Sequence, residues 1–369
     1  MKDNETIKNL LSPDDFMVSI DLHNAFHSIS LHTDSQHLVV FEFENCRYNF
    51  NAIPFGLTSA PRVFTKVLRP VISFLRNCGI KITSYLDDIF ICGPSYDKVK
   101  SDLKFTLDLL INLGFSINWN KSHLTPSQNI CHLGYIWNSR NCTINLPGCK
   151  LSKIKSLASK CLSSAQTVRT YSALLGLLVS SANAFRYAAL YYRKFQLCFI
   201  DAIKSCHDWD DIWPLSSEAL IDLLWWQNCS LDMITPVTFL LPKTDLVLFT
   251  DASLIGWGAS ISSGVYTSGK WSSSDSKLHI NFLELKAIFL ALKEFLPLLT
   301  NKNLSIRCDN STAIAYFNKI GGTHSKTLCL LALRIWSMIK DIPASCVNSH
   351  ISGIDNSICR FLLQAYSSP

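Results

Sequence analysis

The sequence predicts an α+β fold throughout, arranged as successive domains. Residues 1–145 mix short β-prone runs with helix-like segments, punctuated by Pro, Gly and Asn. Residues 146–244 are helix-like and rich in Leu, Ser and Ala, whereas residues 245–369 begin with strands and then alternate helix and strand. The stretch 231–245, with its two prolines, is the best candidate for a linker.

Composition and charge limit the class of protein. Of the 369 residues, 48% are apolar and 17% charged, which suits several folded cores and excludes a disordered tail. The net charge of +6 is compatible with a nucleic-acid partner without requiring one. The cysteines form no CxxC pair, which argues against zinc and favours small, reduced side chains. The sequence has no signal peptide and no membrane-length apolar run, so we expect an intracellular protein, cytoplasmic or nuclear, without membrane contact.

The first candidate site begins in residues 17–31, MVSIDLHNAFHSISL. Val18 and Ile20 predict a buried strand, and Asp21 ends it where a helix-like segment begins. An aspartate at such a position is commonly a helix N-cap, and this structural alternative stays open for Asp21 taken alone.

The second part of the site is in residues 82–93, ITSYLDDIFICG. Two apolar, β-prone runs flank Asp87 and Asp88, which predicts a hairpin with both carboxylates at its tip. A solvated turn is the simple alternative. The apolar neighbours instead favour two like charges near a core, an arrangement that is unfavourable without a compensating cation. Together with Asp21, these carboxylates supply the oxygen ligands that a pair of Mg²⁺ ions needs.

A further carboxylate set lies in the C-terminal zone. Asp251 follows an apolar run with strand periodicity in residues 245–262, and Asp309 lies at another strand end before a helix. Between them, residues 278–299 predict a helix that is apolar on nearly every side and contains Glu284. A glutamate there is costly to bury without a partner, and a salt-bridged or solvent-facing side chain is the alternative.

Five motifs resemble, in order and spacing, the palm motifs of retroelement reverse transcriptases. They are SIDLHNAF, NAIPFGLTSAPRVF, SYLDDIFICG, LGFSINWNKS and HLGYIW. In that family the first aspartate and the paired aspartates bind the metals, which implies this role for Asp21, Asp87 and Asp88.

The same resemblance implies a nucleotide-binding set and a primer grip. The nucleotide-binding set has three parts. One is the steric gate, an aromatic ring that collides with a ribose 2′-hydroxyl. The others are a Pro-Phe-Gly loop that contacts the nucleotide and the template, and a lysine near the triphosphate. Without the aspartates, core packing would be preferred for the ring and the loop. The implied positions are Phe26, Pro54, Phe55, Gly56 and Lys121 for nucleotide binding, and Leu133, Gly134 and Tyr135 for the primer grip.

The C-terminal zone carries a second resemblance. The strings TDAS, WGA, HINFLELKA, DNSTAIAYFNKIGGTHS and HISGIDN are similar to the ribonuclease H of DIRS-type retrotransposons. Gypsy-type elements and pararetroviruses are the next nearest relatives. The resemblance implies that Asp251, Glu284 and Asp309 are catalytic and bind Mg²⁺, with His350 in an accessory position.

Two departures from the family pattern bear on activity. The fourth ribonuclease carboxylate normally lies about ten residues after the histidine of the HISG-like motif, and counting from His350 reaches Arg360. A cation there repels a second metal, and Asp355 lies too early to replace the missing acid. The fingers subdomain, which precedes the Asp21 motif in relatives, is largely missing. The resemblance therefore implies a fragment of a longer polyprotein or a decayed copy, with an impaired RNase H.

The resemblance also implies an architecture. Residues 1–145 are expected to form a reverse-transcriptase palm, an antiparallel sheet backed by helices. Residues 146–244 would form a helical thumb and connection. Residues 245–369 would form an RNase H-like α/β domain with a mixed five-stranded sheet.

The leading hypothesis is an RNA-directed DNA polymerase with a tethered RNase H domain, encoded in a retrotransposon polyprotein. It would use two Mg²⁺ (or Mn²⁺) ions for nucleotidyl transfer, with an RNA template, a DNA primer, dNTP and the RNA–DNA hybrid as partners. The alternative is a non-catalytic remnant of a degenerate or domesticated element that binds an RNA–DNA hybrid. An unrelated metal hydrolase would require both carboxylate sets to be coincidental.

Overall fold

The structure, a computed structural model, describes residues 4–240, 242–343, 345–352 and 356. In these ranges the α-helices are α1 Asn4–Leu10, α2 Thr33–Gln36, α3 Ala60–Asn77, α4 Tyr96–Asn112, α5 Gly148–Ser163, α6 Val168–Ser181, α7 Arg193–Ser205, α8 Ser217–Asn228, α9 Ile280–Glu294, α10 Ser311–Asn318 and α11 Lys326–Ile339. The strands are β1 Phe16–Asp21, β2 Val40–Phe43, β3 Cys46–Asn49, β4 Lys81–Tyr85, β5 Asp88–Gly93, β6 His123–Ser127, β7 Asn129–His132, β8 Tyr135–Asn138, β9 Thr143–Asn145, β10 Gln166–Thr167, β11 Ile212–Trp213, β12 Val237–Thr238, β13 Leu246–Ala252, β14 Gly256–Ile261, β15 Tyr266–Lys270, β16 Asn303–Cys308 and β17 Ser345–His350.

The chain divides into two compact units. The first consists of Met1–Pro147 together with Pro236–Leu240, and the second of Gly148–Thr235 together with Leu241–Pro369. The helices of the middle composition zone therefore cluster with the C-terminal sheet. The predicted boundaries near residues 145 and 244 remain a prediction about domains.

The first unit contains a four-stranded sheet in the order β4-β5-β1-β6. Strand β1 is antiparallel to β5, and its buried residues Val18 and Ile20 lie opposite Ile91 and Ile89. Helices α3 and α4 cover this sheet. Helix α3 buries apolar residues at intervals of three and four, the spacing of one helix face; these are Phe64, Leu68, Ile72 and Leu75. Burial of each such side chain contributes about 1.5–3 kcal/mol, so this face holds the helix against the sheet.

A second sheet of the first unit has the order β12-β9-β8-β7. Its strand β12 lies inside the predicted linker 231–245, and Val237 pairs with Ile144 of β9. The linker also contains a 3₁₀ helix, Leu231–Met233. The predicted linker therefore includes regular secondary structure, and its strand pairs with residues much earlier in the sequence.

In the second unit, α5 and α7 both pack on α8. Helix α6 packs on α5 and α7, and the largest fully buried side chains of this helical part include Trp226 of α8, Tyr171 of α6 and Phe195 of α7. Hydrogen bonds join this helical part to the C-terminal part of the same unit, since the Tyr187 hydroxyl donates to the Lys340 carbonyl at 2.7 Å.

The C-terminal sheet has five strands in the order β15-β14-β13-β16-β17. Strand β14 is antiparallel to both of its neighbours, β13 and β15. Strand β16 is parallel to both of its neighbours, β13 and β17. The predicted mixed five-stranded sheet is confirmed. Helix α9 ends at Glu294 rather than at residue 299, and a 3₁₀ helix, Leu296–Leu298, follows it. Pro297 accounts for the early end, because proline lacks an N–H and disfavours α-helical geometry in the residue before it.

The cysteines of the described residues are free thiols, and most of them are buried. In the described part of the chain, none of the helices combines the length and apolarity needed to cross a membrane.

Candidate functional sites

The palm carboxylates meet where β1 and β5 meet. Asp21 is the last residue of β1 and Asp88 the first of β5, and the antiparallel register makes their Cα atoms direct partners. Asp87 lies in the two-residue turn between β4 and β5, because Tyr85 pairs with Asp88. Leu86, the other turn residue, has φ 54°, a left-handed conformation that is uncommon for leucine. The structure therefore brings the three sequence-predicted aspartates to one end of the sheet.

The charges of this group oppose one another. The pKa of Asp88 is raised to about 6, first by burial and then by the charges of Asp87 and Asp21. Lys121 acts in the opposite direction and lowers it. The predicted hairpin is present, but its turn is Leu86–Asp87 and Asp88 already belongs to β5; all three aspartates are half-buried rather than freely solvated.

A short loop after α4 is bonded to the end of β1. The Asn118 N–H donates to the Asp21 carbonyl at 2.8 Å, and the Asp21 N–H donates to Ser122 Oγ at 3.0 Å. The Ser122 hydroxyl in turn donates to the Asn118 carbonyl at 2.7 Å. These bonds hold Lys121 near Asp88. The sequence did not reveal Ser122, because a serine in a loop carries no signal of a long-range partner.

The predicted steric-gate ring lies in a small aromatic group. Phe26 belongs to a 3₁₀ helix, Ala25–Ser28, and its ring meets those of Phe55 at 5.4 Å and Phe64 at 5.7 Å, both edge to face. Phe64 is fully buried, whereas the Phe55 side chain is 65% exposed. Phe26 is thus held on its core side, while Phe55 remains accessible to a ligand.

Gly56 follows this ring with φ 95°, a conformation that L side chains rarely adopt. Apart from its two chain neighbours, none of the described residues has an atom within 4 Å of the position that a Cβ would take. The glycine is required here by backbone geometry, and the space above it is open. Pro54 precedes this pair and is buried.

The predicted primer-grip residues form the turn between β7 and β8. His132 pairs with Tyr135, and the two turn residues, Leu133 and Gly134, have φ 49° and 75°. Positive φ at both central residues is the geometry of a type I′ hairpin turn, which matches the twist of the flanking strands. Tyr135 is buried, so the turn is anchored at its second strand.

The second carboxylate set gathers at one edge of the five-stranded sheet. Asp251 lies near the end of β13, Glu284 in the second turn of α9, and Asp309 directly after β16. Strands β13 and β16 are parallel neighbours, so their carboxyl ends lie at the same edge. Asp251 is 6% and Glu284 4% exposed, which answers the question left open by the sequence: Glu284 does not face solvent.

Burial and charge act strongly on Glu284. Its pKa is raised to about 9, first by burial and then by the charges of Asp251 and Asp309. A hydrogen bond from the backbone of Ala252 and one from Cys308 oppose the shift. Without a cation, this carboxyl group therefore keeps its proton at neutral pH.

Cys308 is the residue of this site that sequence reasoning missed. One ligand atom each from Glu284, Cys308 and Asp309 lies within 4.8 Å of the others, and among the described residues no other trio of His, Cys, Asp or Glu is this tight. A cysteine at a strand end looks like a core residue, so only its place directly before Asp309 could have indicated it.

His350 is the last residue of β17, is exposed, and has Cys308 as its Cα partner. It is therefore at the same edge of the sheet as the carboxylates. Arg360 and Asp355, on which the sequence argument about the fourth acid depends, are outside the described residues.

Both carboxylate groups fit a divalent metal. Carboxylate oxygens are the ligands that Mg²⁺ prefers, and in each group like charges are forced together at a cost that a cation removes. The raised pKa values of Asp88 and Glu284 record that cost.

Two protein families match parts of the chain. Residues 2–137 match the family described as reverse transcriptase (RNA-dependent DNA polymerase). Residues 241–333 match the RNase H-like domain found in reverse transcriptase. The two matches fall on the two carboxylate sites and leave the helical part between them uncovered.

Curated relatives include viral and transposon polyproteins. The enzymatic polyprotein of cauliflower mosaic virus (strain D/H) is 23% identical over 364 residues, covering 95% of this chain and 50% of the relative. The Gag-Pol polyprotein of walleye dermal sarcoma virus is 27% identical over 173 residues, 47% of this chain and 9% of the relative. A Pol polyprotein from the transposon opus of Drosophila melanogaster is 29% identical over 121 residues, which cover 33% of this chain and 12% of the relative. The chain thus spans half or less of these relatives.

Solved structures support the same fold. The foamy viral protease-reverse transcriptase in complex with an RNA/DNA hybrid has a TM-score of 0.55 and 18% identity, covering 95% of this chain and 46% of that one. The same type of protein in complex with dsDNA has a TM-score of 0.53 and 18% identity, covering 96% and 71%. At this identity the likeness establishes the fold.

Proposed function

Since this chain carries the reverse transcriptase and RNase H-like domains of a retroelement or retroviral Pol polyprotein, we propose that it copies RNA into DNA by metal-dependent nucleotidyl transfer. The observation that carries the proposal is the direct pairing of Asp21 with Asp88 at the ends of adjacent strands, with Asp87 in the turn beside them. Three carboxylates at one strand end suit the binding of two divalent ions, for which we propose Mg²⁺.

Each residue of the palm has a role in this proposal. Asp21, Asp87 and Asp88 hold the metal, which when bound lowers the pKa of the primer 3′-hydroxyl and neutralises triphosphate charge. Lys121 supplies a cation beside Asp88, toward the triphosphate. The ring of Phe26 limits the space beneath the sugar to a deoxyribose.

Two further elements would position the nucleic acid. Phe55 and Gly56 offer an exposed ring and an open backbone to the incoming dNTP and the template base. The turn of Leu133 and Gly134, anchored by Tyr135, would hold the DNA primer strand.

The RNase H-like domain would bind the RNA–DNA hybrid that polymerisation produces. Asp251, Glu284 and Asp309 hold a divalent ion at the sheet edge, and His350 lies at the same edge. Foamy viral protease-reverse transcriptase has been solved with an RNA/DNA hybrid and with dsDNA. We propose that this chain takes the same ligands, inside the host cell.

Primer extension tests the proposal. The chain is supplied with poly(rA)/oligo(dT), dTTP and Mg²⁺ and compared with an Asp87→Asn, Asp88→Asn double variant. Asp97→Asn, Asp108→Asn is the matched control, because both are exposed residues of α4 and the change in charge is the same. We expect extension by the wild type and the control and none by the active-site variant. Extension that survives Asp87→Asn, Asp88→Asn would rule out the catalytic assignment.

A second candidate function is hybrid binding without cleavage, by a decayed or domesticated copy. It is favoured by Arg360, which stands where the family carries its fourth ribonuclease acid. If this account is right, Arg360→Asp gains hybrid cleavage while hybrid affinity stays within a few-fold. A variant that gains none would contradict the assignment of the defect to Arg360.

We also propose a DIRS-type origin, supported by the strings TDAS, HINFLELKA and HISGIDN. A tyrosine recombinase reading frame in the genomic neighbourhood would support that origin. An aspartic protease and integrase frame instead would favour a gypsy-type origin.

A further inference from the structure

The sulfur of Cys308 lies inside the carboxylate group of the RNase H-like domain. Its Sγ is 3.8 Å from Glu284 Oε2, and the side chain is fully buried. One ligand atom each from Cys308, Glu284 and Asp309 lies within 4.8 Å of the other two. The thiol therefore lies close enough to the proposed metal-binding carboxylates to bind the same cation.

Two consecutive residues reach the same site because β16 ends between them. Side chains of neighbouring strand residues point to opposite faces, so Cys308 and Asp309 would diverge if the strand continued. Asn310 instead caps α10: its Oδ1 accepts from the Ala313 N–H at 2.9 Å. The side-chain Nδ2 of Asn310 also donates to Oδ1 of Asn281 in α9 at 2.9 Å, and the backbone N–H of Asn310 donates to Cys308 Sγ at 3.4 Å. The turn that aims both ligands is thus fixed at both ends.

The donor set differs from one made of oxygen alone. Mg²⁺ prefers oxygen ligands, whereas thiolate favours softer cations such as Zn²⁺. A tetrahedral zinc ion with bonds of about 2.3 Å to sulfur and about 2.0–2.2 Å to oxygen separates the two donors by about 3.5 Å. The observed separation of 3.8 Å requires only a small adjustment.

We propose that Glu284, Cys308 and Asp309 form a binding site for a thiophilic divalent cation, Zn²⁺ above all. As the metal binds, the proton of the Cys308 thiol and the proton of the Glu284 carboxyl group both pass to solvent, and no electron is transferred. Zinc in this position excludes Mg²⁺ from the same carboxylates and so inhibits hybrid cleavage. The binding stands on geometry alone, whereas the inhibition rests on the proposed function of the domain.

Cd²⁺ is the probe for binding, because its thiolate complexes have an ultraviolet charge-transfer band. The chelator-treated full chain is titrated with Cd²⁺, and Cys308→Ser is compared with wild type and with Cys346→Ser. Cys346 is the matched control, a buried cysteine of the adjacent strand β17. We expect Cys308→Ser to lose one high-affinity thiolate site, with a dissociation constant raised at least about tenfold, and Cys346→Ser to retain it.

Glu284→Gln gives an independent test if Cys308→Ser does not fold, since it removes a carboxylate ligand and leaves the thiol. It should weaken the same Cd²⁺ site at least about tenfold. Unchanged Cd²⁺ spectra and stoichiometry in both variants would overturn the proposed site.

A second measurement separates this inference from the proposed function. Hybrid cleavage in Mg²⁺, using the chain or its Arg360→Asp variant, is titrated with Zn²⁺. Cleavage that Zn²⁺ inhibits less in a Cys308→Ser background supports the competition, and equal inhibition contradicts it. If no cleavage occurs but Cys308-dependent Cd²⁺ binding persists, the cation site is retained and the ribonuclease function fails.

Discussion

The two carboxylate sites place similar groups in different surroundings. Asp21, Asp87 and Asp88 lie at a strand end and a hairpin turn, where each remains half-buried. Glu284 lies on a helix inside the core and is 4% exposed. Burial therefore raises the pKa of Glu284 to about 9, whereas that of Asp88 reaches only about 6. At neutral pH Asp88 is largely ionised before any cation arrives, whereas Glu284 has to lose a proton to bind one.

The difference teaches that the two sites depend on cations to different degrees. Backbone hydrogen bonds hold the palm site, such as the one that the Asn118 N–H donates to the Asp21 carbonyl. The RNase H-like site is held by helix packing that forces charges together. Its stability without metal is therefore the more sensitive to pH.

The largest expected effect is a separation of activities. Asp21→Asn removes a proposed metal ligand of the palm site and should reduce primer extension by about 10³-fold or more, because metal stabilisation of developing charge is worth several kcal/mol. Asp21→Asn should leave hybrid cleavage unchanged, whether it is introduced into the wild type or into the Arg360→Asp variant. Glu284→Gln should give the opposite pattern. Assays of both variants for both reactions test this, and a variant that loses both would show that the sites are not independent.

The next effect concerns stability. Glutamate ionises near 4.5 in the unfolded chain, whereas Glu284 holds its proton to about pH 9 in the folded chain. Between these values the folded state binds the extra proton, so Glu284 destabilises the fold increasingly as pH rises. Metal-free Glu284→Gln should thus be more stable than wild type at pH 8, by up to about 5 kcal/mol at about 1.4 kcal/mol per pH unit above 4.5, and equal at pH 4.

Urea unfolding of the chelated proteins across this pH range measures that difference. Glu294→Gln, an exposed change at the end of the same helix, is the matched control and should follow the wild type. Added Mg²⁺ should reduce the advantage of Glu284→Gln. Identical pH dependence for wild type and Glu284→Gln would contradict the buried, protonated carboxyl group.

A smaller effect is expected in metal affinity. In Glu284→Gln only the palm site is intact, and its affinity for Mn²⁺ should fall about tenfold between pH 7 and pH 5, since protons compete for Asp88 around pH 6. In Asp88→Asn, affinity at the other site should rise from pH 7 to pH 9 instead. Electron paramagnetic resonance of free Mn²⁺ measures both. If Mn²⁺ affinity depended on pH in the same way in both variants, the proposed difference between the pKa values of Asp88 and Glu284 would be contradicted.

The smallest effect concerns the hydrogen bonds between Asp21 and the loop after α4. Ser122→Ala leaves the Asp21 N–H without its 3.0 Å acceptor and should cost about 1 kcal/mol of stability. It should also weaken dNTP binding, because Lys121 is no longer held beside Asp88. Ser127→Ala, in the neighbouring strand β6, loses hydrogen bonds to Asn129 of β7 and is the control for dNTP binding, which it should leave unchanged. Urea unfolding and the KM for dTTP give the two readings, and no change in either would mean that the loop is held by other contacts.

Much of both sites could be predicted because local pattern fixes it. Alternation and apolar runs place Asp21 and Asp88 at strand ends, whereas the all-round apolar helix only raised the question whether Glu284 is buried, which its packing in the structure answers. The pairing of Val237 with Ile144 could not be predicted, since a two-residue strand has no pattern of its own and its partner is distant in sequence. Cys308 was missed for a related reason: its chemistry depends on where β16 stops.

Strand β12 has a consequence for synthesis on the ribosome. Residues 236–240 complete the second sheet of the first unit, yet they are made only after the helical segment Gly148–Thr235. At ~5–20 residues per second, this delay is roughly 5–20 s after Pro147 has been made. During that interval the edge of β9 lacks its partner and offers unpaired N–H and C=O groups to other nascent chains. The edge of β9 would therefore stay exposed longer when elongation is slow, and a ribosome stalled within residues 148–235 would hold a chain prone to edge-to-edge association.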